Sequence, residues 1–399
     1  MPFQKGKIKH MGKADKIIIV FACTALLVIA TIAITFSFNG KSDKVAASIK
    51  QQELASRVSA LDISRATEAQ RIANENFYQK LKEGRPVSIL VIGDDIGASS
   101  GSTAGNGWID QLTNKLYATY KSKVTVTKIT QSGANIVRSW IEYNSMINNN
   151  KQLGVSSNFD CVFICDGKNY QSVDELKQFH MFYENLIVRL IKNDPKTEIF
   201  PMIESSIKTD NGFTADIKDI AIHYVLDLVD TREIFNQSGK IYSDLSKDGV
   251  HPNDAGYALY AEEIYSVIVG NVSKNKVLSY EDKPTYFSDS PQLDNAHLVN
   301  TPDAITGYQQ KENVFTSNQK GDSLTFTSSG SIAYVYYNTN TNGGQFQIFV
   351  DNKYFGEINT KSTANVSTPY LISGSLTGKH TIKLVTKQGS VNIICIVTN

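Results

Sequence analysis

Four short stretches hold the residues whose types could do chemistry. They are Gly93-Asp94-Asp95, Gly133, Gly167-Lys168-Asn169 and Asp248-Gly249-Val250-His251-Pro252. Carboxylates, an imidazole and an amide side chain suit proton transfer and the stabilisation of developing negative charge. Taken singly, each stretch reads as an ordinary turn. What unites them is position, because the first three close apolar runs and the fourth opens a helix. In open α/β sheets, ligands gather at the carboxyl ends of the strands.

The elements that position these groups alternate. Val87 to Ile92 is an almost unbroken apolar run that stops at Gly93-Asp94-Asp95, the pattern of a buried parallel strand. A loop rich in Gly and Ser follows, with Ser99, Ser100 and Ser102, and then a helix near Trp108 to Tyr120. Val124 to Thr130 reads as a second strand ending at Gln131-Ser132-Gly133-Ala134, with a helix from about Asn135. Asp160 to Cys165 reads as a third strand. Behind it, Ser172 and Glu175 form a capping box, and Val173, Leu176, Phe179, Tyr183, Leu186, Ile187 and Leu190 recur at helical spacing. Glu198 to Ile203 and Val225 to Val229 give a fourth and a fifth strand. A helix through Ala258, Leu259, Ile264 and Ile268 closes at Gly270. Strands alternating with helices imply a parallel sheet covered on both faces.

In this order the motifs resemble the SGNH, or GDSL, hydrolase family, over roughly residues 86–270. Gly93-Asp94-Asp95-Ile96 is similar to its first block, Gly133 to the second, Gly167-Lys168-Asn169-Tyr170 to the third and Asp248-x-x-His251-Pro252 to the fifth. The resemblance implies a flavodoxin-like three-layer α/β domain and an esterase or acyltransferase, here with an O-acylated envelope polysaccharide as ligand. It implies that His251 is the base, Asp248 its orienter, Gly133 and Asn169 the oxyanion donors, and Asp94 the support of the turn. The departure is at the nucleophile position, which holds Asp95 where the family has Ser. A second, milder departure is Tyr170, where the third block has an acidic residue.

Three readings of Asp95 stand open: a site without acyl transfer, a carboxylate nucleophile whose attack gives a high-energy anhydride, or a neighbouring hydroxyl from Ser99, Ser100 or Ser102 in its place. An ionised Asp95 beside His251 raises the imidazole pKa.

Around this domain the chain carries other signals. Lys5, Lys7, Lys9, Lys13 and Lys16 precede the uncharged run Ile17 to Phe38, which is long enough to cross a hydrocarbon core of about 30 Å. It reads as an uncleaved signal anchor with residues 1–16 cytoplasmic and the bulk extracellular, at the cell membrane. Residues 39–85 read as a helical stalk with Val45, Ile49, Leu54, Val58, Leu61 and Ile63 spaced along it. Residues 271–303 read as a linker with room for a first strand.

Residues 304–399 alternate Val, Ile, Thr, Tyr and Phe with turn residues and read as an all-β sandwich. Its strands are expected at 323–327, 332–337, 346–350, 354–358, 380–386 and 391–397. Asn342-Gly343-Gly344, the Asp351-Asn352 hairpin and Leu376-x-x-Gly378-x-His380 resemble jelly-roll accessory modules found beside carbohydrate esterases. That implies sugar stacking by Tyr334, Tyr336, Tyr337 or Tyr354, although such residues also serve as strand core.

The formal charge of +1 over 399 residues argues against a nucleic-acid partner. Four cysteines, Cys23, Cys161, Cys165 and Cys395, are too few for a disulfide scaffold and read as buried thiols. No Cys/His cluster has ligand spacing, so neither metal nor cofactor is expected.

Overall fold

The computed structural model describes residues 41–170 and 175–399. The Ile17–Phe38 run, Cys23 and the Ser172 end of the capping box lie outside them. Among the described residues, no helix is long and apolar enough to cross a membrane.

Residues up to Glu75 form one unit and Asn76–Asn399 another. The first contains helix α1 (Lys41–Ala73), whose Ile49, Leu54, Val58, Leu61 and Ile63 are all exposed. The expected stalk extends to residue 85, but the structure divides it. A second helix, α2 (Phe77–Lys82), starts at a capping box of Asn76 and Gln79. Its Phe77, Tyr78 and Leu81 are buried in the second unit. The interruption follows from Asn76, whose side chain accepts from the Gln79 N–H and terminates any continuous helix there.

The α/β part runs β1 (Val87–Gly93), α3 (Trp108–Tyr120), β2 (Val124–Thr130), α4 (Ile136–Leu153), β3 (Cys161–Cys165), α5 (Leu176–Asn193), β4 (Glu198–Ile203), α6 (Gly212–Tyr224), β5 (Val229–Asp230), α7 (Thr231–Gln237), α8 (Tyr242–Leu245) and α9 (Asp254–Ser273). The parallel sheet has the order β2-β1-β3-β4-β5, the flavodoxin-like arrangement whose switch point lies between β1 and β3. One face packs Trp140, Phe179 and Ile217, and the other packs Trp108, Tyr257 and Ile264.

Two expected boundaries differ. Val225 begins no strand, since it caps α6 in a left-handed conformation, and the strand starts at Val229. Gly270 does not end the last helix, which continues to Ser273 and passes its left-handed turn to Asn275.

The C-terminal sandwich contains β6 (His297–Val299), β7 (Ala304–Thr306), β8 (Gln309–Lys311), β9 (Val314–Ser317), β10 (Ser323–Ser329), β11 (Ala333–Thr339), β12 (Gln345–Val350), β13 (Lys353–Asn359), β14 (Val366–Ser373), β15 (Lys379–Gln388) and β16 (Val391–Thr398). One sheet has the order β13-β12-β15-β10-β7 and the other β14-β11-β16-β9-β8, with β6 paired to β16. Strand period sorts β11 between two cores. Ala333, Val335 and Tyr337 face the sandwich interior, while Tyr334 and Tyr336 join the α/β core. The hydroxyl of Tyr336 donates to Glu142 and that of Tyr334 accepts from Gln178. Tyr334, Tyr336 and Tyr337 are therefore packing residues, all buried.

The linker is strapped to α5. The buried Glu184 accepts from the Tyr286 and Phe287 N–H groups, from Ser290 Oγ and from Tyr224 Oη. His180 lies flat on Phe287, centroids 3.9 Å apart, between Asp216 at 3.4 Å and Asp289 at 3.1 Å.

Candidate active site

β1 can deliver Asp94 and Asp95 to the switch point because Gly93 has no side chain. Its φ is +146°, and a Cβ there would stand 2.2 Å from the Cys165 carbonyl oxygen on β3. The chain then folds into a turn around the buried Asp94. Its Oδ1 accepts from the Ile96 N–H at 2.8 Å and its Oδ2 from Asn169 Nδ2 at 2.9 Å.

His251 is positioned by a single carboxylate used twice. Asp248 Oδ1 accepts from the Val250 and His251 N–H groups, at 2.9 and 2.7 Å, and fixes the turn. Its Oδ2 lies 2.6 Å from His251 Nδ1. The D-x-x-H spacing thus builds both the loop and the oriented imidazole. Hydrogen bonding to His251 and to the two backbone groups holds the Asp248 carboxyl well below its usual range.

The other ring nitrogen meets Asp95. His251 Nε2 is 3.1 Å from Asp95 Oδ2, and Ser132 Oγ donates to the same oxygen at 3.2 Å. Asp95 Oδ1 is in contact with Lys168 Nζ, which also lies 3.7 Å from Asp94 Oδ2. The Lys168 and Asp95 side chains are only 8% and 10% exposed, so this is a buried pair with the imidazole on its open side.

The charges follow. Burial opposes an ionised Asp95, but Lys168 and His251 outweigh it and hold the carboxyl below its usual value. Burial likewise opposes charge on Lys168 and on His251, and the carboxylates around each raise both. Beneath the site, burial pushes Asp94 up to about 6 and Asp166 up to about 8. Glu204 is pushed well above its usual range by burial and by Asp94.

The sequence-derived residues do meet, though not all as donors. Asp95, His251 and Asp248 form a chain of contacts, and Gly133 follows Ser132, with nothing within 4 Å of its would-be Cβ. Asn169 spends both amide hydrogens inside the site, on Asp94 Oδ2 and on the Ala134 carbonyl at 2.7 Å. Tyr170 is buried, and its hydroxyl accepts from the Ile136 N–H at the start of α4.

The Gly/Ser loop is tied down. Asp254 accepts from Thr103 and Asn106, and Tyr257 Oη donates to the Ser100 carbonyl. Gly101 presses on His251 and Pro252 so closely that a Cβ would stand 2.9 Å from the His251 Cβ. Ser102 Oγ donates to the Ser99 carbonyl, and the buried Ser99 Oγ lies beside Gly107. The hydroxyl that touches Asp95 is that of Ser132. Ser132 and Lys168 were legible only as neighbours of motif residues, and Lys168 occupies the variable position of Gly167-x-Asn169. Among the described residues, no group of three His, Cys, Asp or Glu could hold a metal ion. Cys161, Cys165 and Cys395 are buried and unpaired.

Comparison with known proteins agrees with this architecture. The GDSL-like Lipase/Acylhydrolase family matches residues 91–259. Among solved structures, the chain resembles a two-domain esterase (CEX) active on acetylated mannans, with TM-score 0.65 and 17% identity over 80% of this chain and 92% of that one. The same esterase co-crystallized with mannopentaose gives TM-score 0.64 and 16% identity, with the same coverage. At these identities the likeness is one of fold. No curated protein matches the chain.

Proposed function

We propose, for a chain whose residues 91–259 match the GDSL-like lipase/acylhydrolase family, that the domain recognises O-acylated polysaccharide of the cell envelope without forming an acyl-enzyme. The observation that carries this reading is Asp95. Acyl transfer by a triad needs a hydroxyl hydrogen-bonded to the imidazole. Here the imidazole faces a carboxylate oxygen at 3.1 Å, and Lys168 occupies the other oxygen. A carboxylate paired with Lys168 and facing His251 is a weak nucleophile, and its attack on an ester would give an anhydride.

The glycan part of the reading is supported by the two-domain esterase active on acetylated mannans, which shares this fold at TM-score 0.65. Display outside a membrane is supported by the five lysines ahead of the uncharged Ile17–Phe38 run.

The test is acetate release from acetylated mannan by the full chain, by Asp95→Ser and by Asp95→Ser/His251→Ala. The expected result is release by Asp95→Ser alone. A second reading, esterase activity of the native chain, has one observation in its favour, the Ser132 hydroxyl 3.2 Å from Asp95. Native release that disappears in Ser132→Ala would establish it and overturn the first.

A further inference from the structure

The outer face of the β13-β12-β15 sheet carries aromatic side chains where a solvated sheet face normally carries polar ones. Strand period accounts for part of this. Phe346, Ile348 and Ile358 point inward and are buried, so Phe349 belongs to the outer face. Tyr354 sits directly opposite it on β13, and Lys383 directly opposite on β15. The next row pairs Gln347 with Glu357.

The rest comes from a bulge. Between Ile348 and Phe349 the register slips, so Phe355 has no cross-strand partner. The alternation breaks there, and both neighbours stay on the surface, Tyr354 at 57% and Phe355 at 48% exposed. The Phe349 ring stands 5.8 Å from that of Tyr354 at an interplanar angle of 72° and props it from the side. Asp351 and Asn352 form the adjoining turn, both with positive φ.

A pyranose ring presents an apolar C–H face and a rim of hydroxyls. An exposed aromatic ring stacks on the first. An amide and a carboxylate one strand-row away and an ammonium in the same row bond the second: Gln347, Glu357, whose two oxygens also accept from Lys387 Nζ, and Lys383 supply these. Charged groups interleaved with the rings argue against a buried protein–protein contact, whose centre is depleted of charge. The rings stand on the open outer face of the sheet, so it fits the middle of a chain and not its end.

We propose that this face is a second glycan site, taking an internal stretch of a neutral hexopyranose polysaccharide by stacking on Tyr354 and Phe355. The inference rests on the glycan reading given above, but not on ester recognition in the cleft. It assigns the sandwich the task of holding the polymer while the cleft meets its acyl groups.

Affinity electrophoresis of the full chain, in gels containing mannan, xylan or mixed-linkage glucan, tests it. At least one polymer should slow the native chain. Tyr354→Ala/Phe355→Ala should weaken that retardation at least tenfold, with an unchanged unfolding midpoint. In the Asp95→Ser background, the same double change should leave hydrolysis of a small activated ester as it was. Retardation equal to native in the double variant, or no retardation of the native chain by any of the three, would overturn the proposal. Aromatic-dependent retardation together with an inert Asp95→Ser would instead refute the ester reading and leave this surface standing.

Discussion

Two histidines of this molecule each lie between two carboxylates, and the two sites are put to different ends. His251 sits between Asp248 and Asp95 at the strand ends. His180 sits between Asp216 and Asp289, flat against Phe287, where the linker to the sandwich crosses α5. Burial disfavours the cation at both, and the carboxylates more than compensate, so both pKa values are raised. The difference is the third partner. Asp95 has Lys168 on its far oxygen, buried with it, whereas Asp289 has only the exposed Lys177 at 3.8 Å. One trio is a locked ion-pair network in a reactive position, and the other is a clasp.

The largest effect should come from breaking the lock. Lys168→Met leaves Asp95 and Asp94 facing each other without their shared cation. Removing one partner of a buried pair costs about 3 kcal/mol, measurable by denaturant unfolding. His180→Ala should cost less, about 2 kcal/mol, because the Asp216 and Asp289 carboxylates keep partial access to water.

The pH dependence sharpens the comparison. His251 and His180 have raised pKa values, so their contribution is fully present below the unfolded value of about 6.5 and is lost as pH rises through the folded values. Asp94, Glu198 and Asp166, raised to about 6, 7 and 8, act in the same direction, because the folded state binds their protons more tightly. Unfolding free energy should therefore fall between pH 5 and pH 9. Asp166→Asn should flatten the upper part of that slope. In Asp95→Ser, NMR titration should show His251 moving down in pKa while His180 stays where it is. The smallest effect belongs to the first unit: Arg57→Ala, which breaks an exposed pair with Glu53 at 3.4 Å, should change stability by less than about 0.5 kcal/mol.

What the sequence revealed follows the same division between local and distant. The Asp248–His251 arrangement is written within four residues, and the strand-end position of Asp95 follows from one apolar run. Six sandwich strands were legible from period two. β6 to β9 were not, being only three or four residues long, with β6 inside the stretch read as linker, and neither was β14, since Pro369 interrupts it, which an edge strand tolerates and a central one does not. The His180 clasp draws on α5, α6 and the linker, and no spacing announces it. Lys168 was in plain view inside a motif, but only the fold shows that it reaches back to Asp94 and Asp95.

The most direct test of the central claim is covalent labelling with a fluorophosphonate, which reports an activated hydroxyl and nothing else in this site. The native chain should give no adduct and Asp95→Ser a single adduct at position 95, lost again in Asp95→Ser/His251→Ala. An adduct on the native chain, at Ser132 or any other residue, would contradict that claim. So would an Asp95→Ser chain that folds but stays unlabelled.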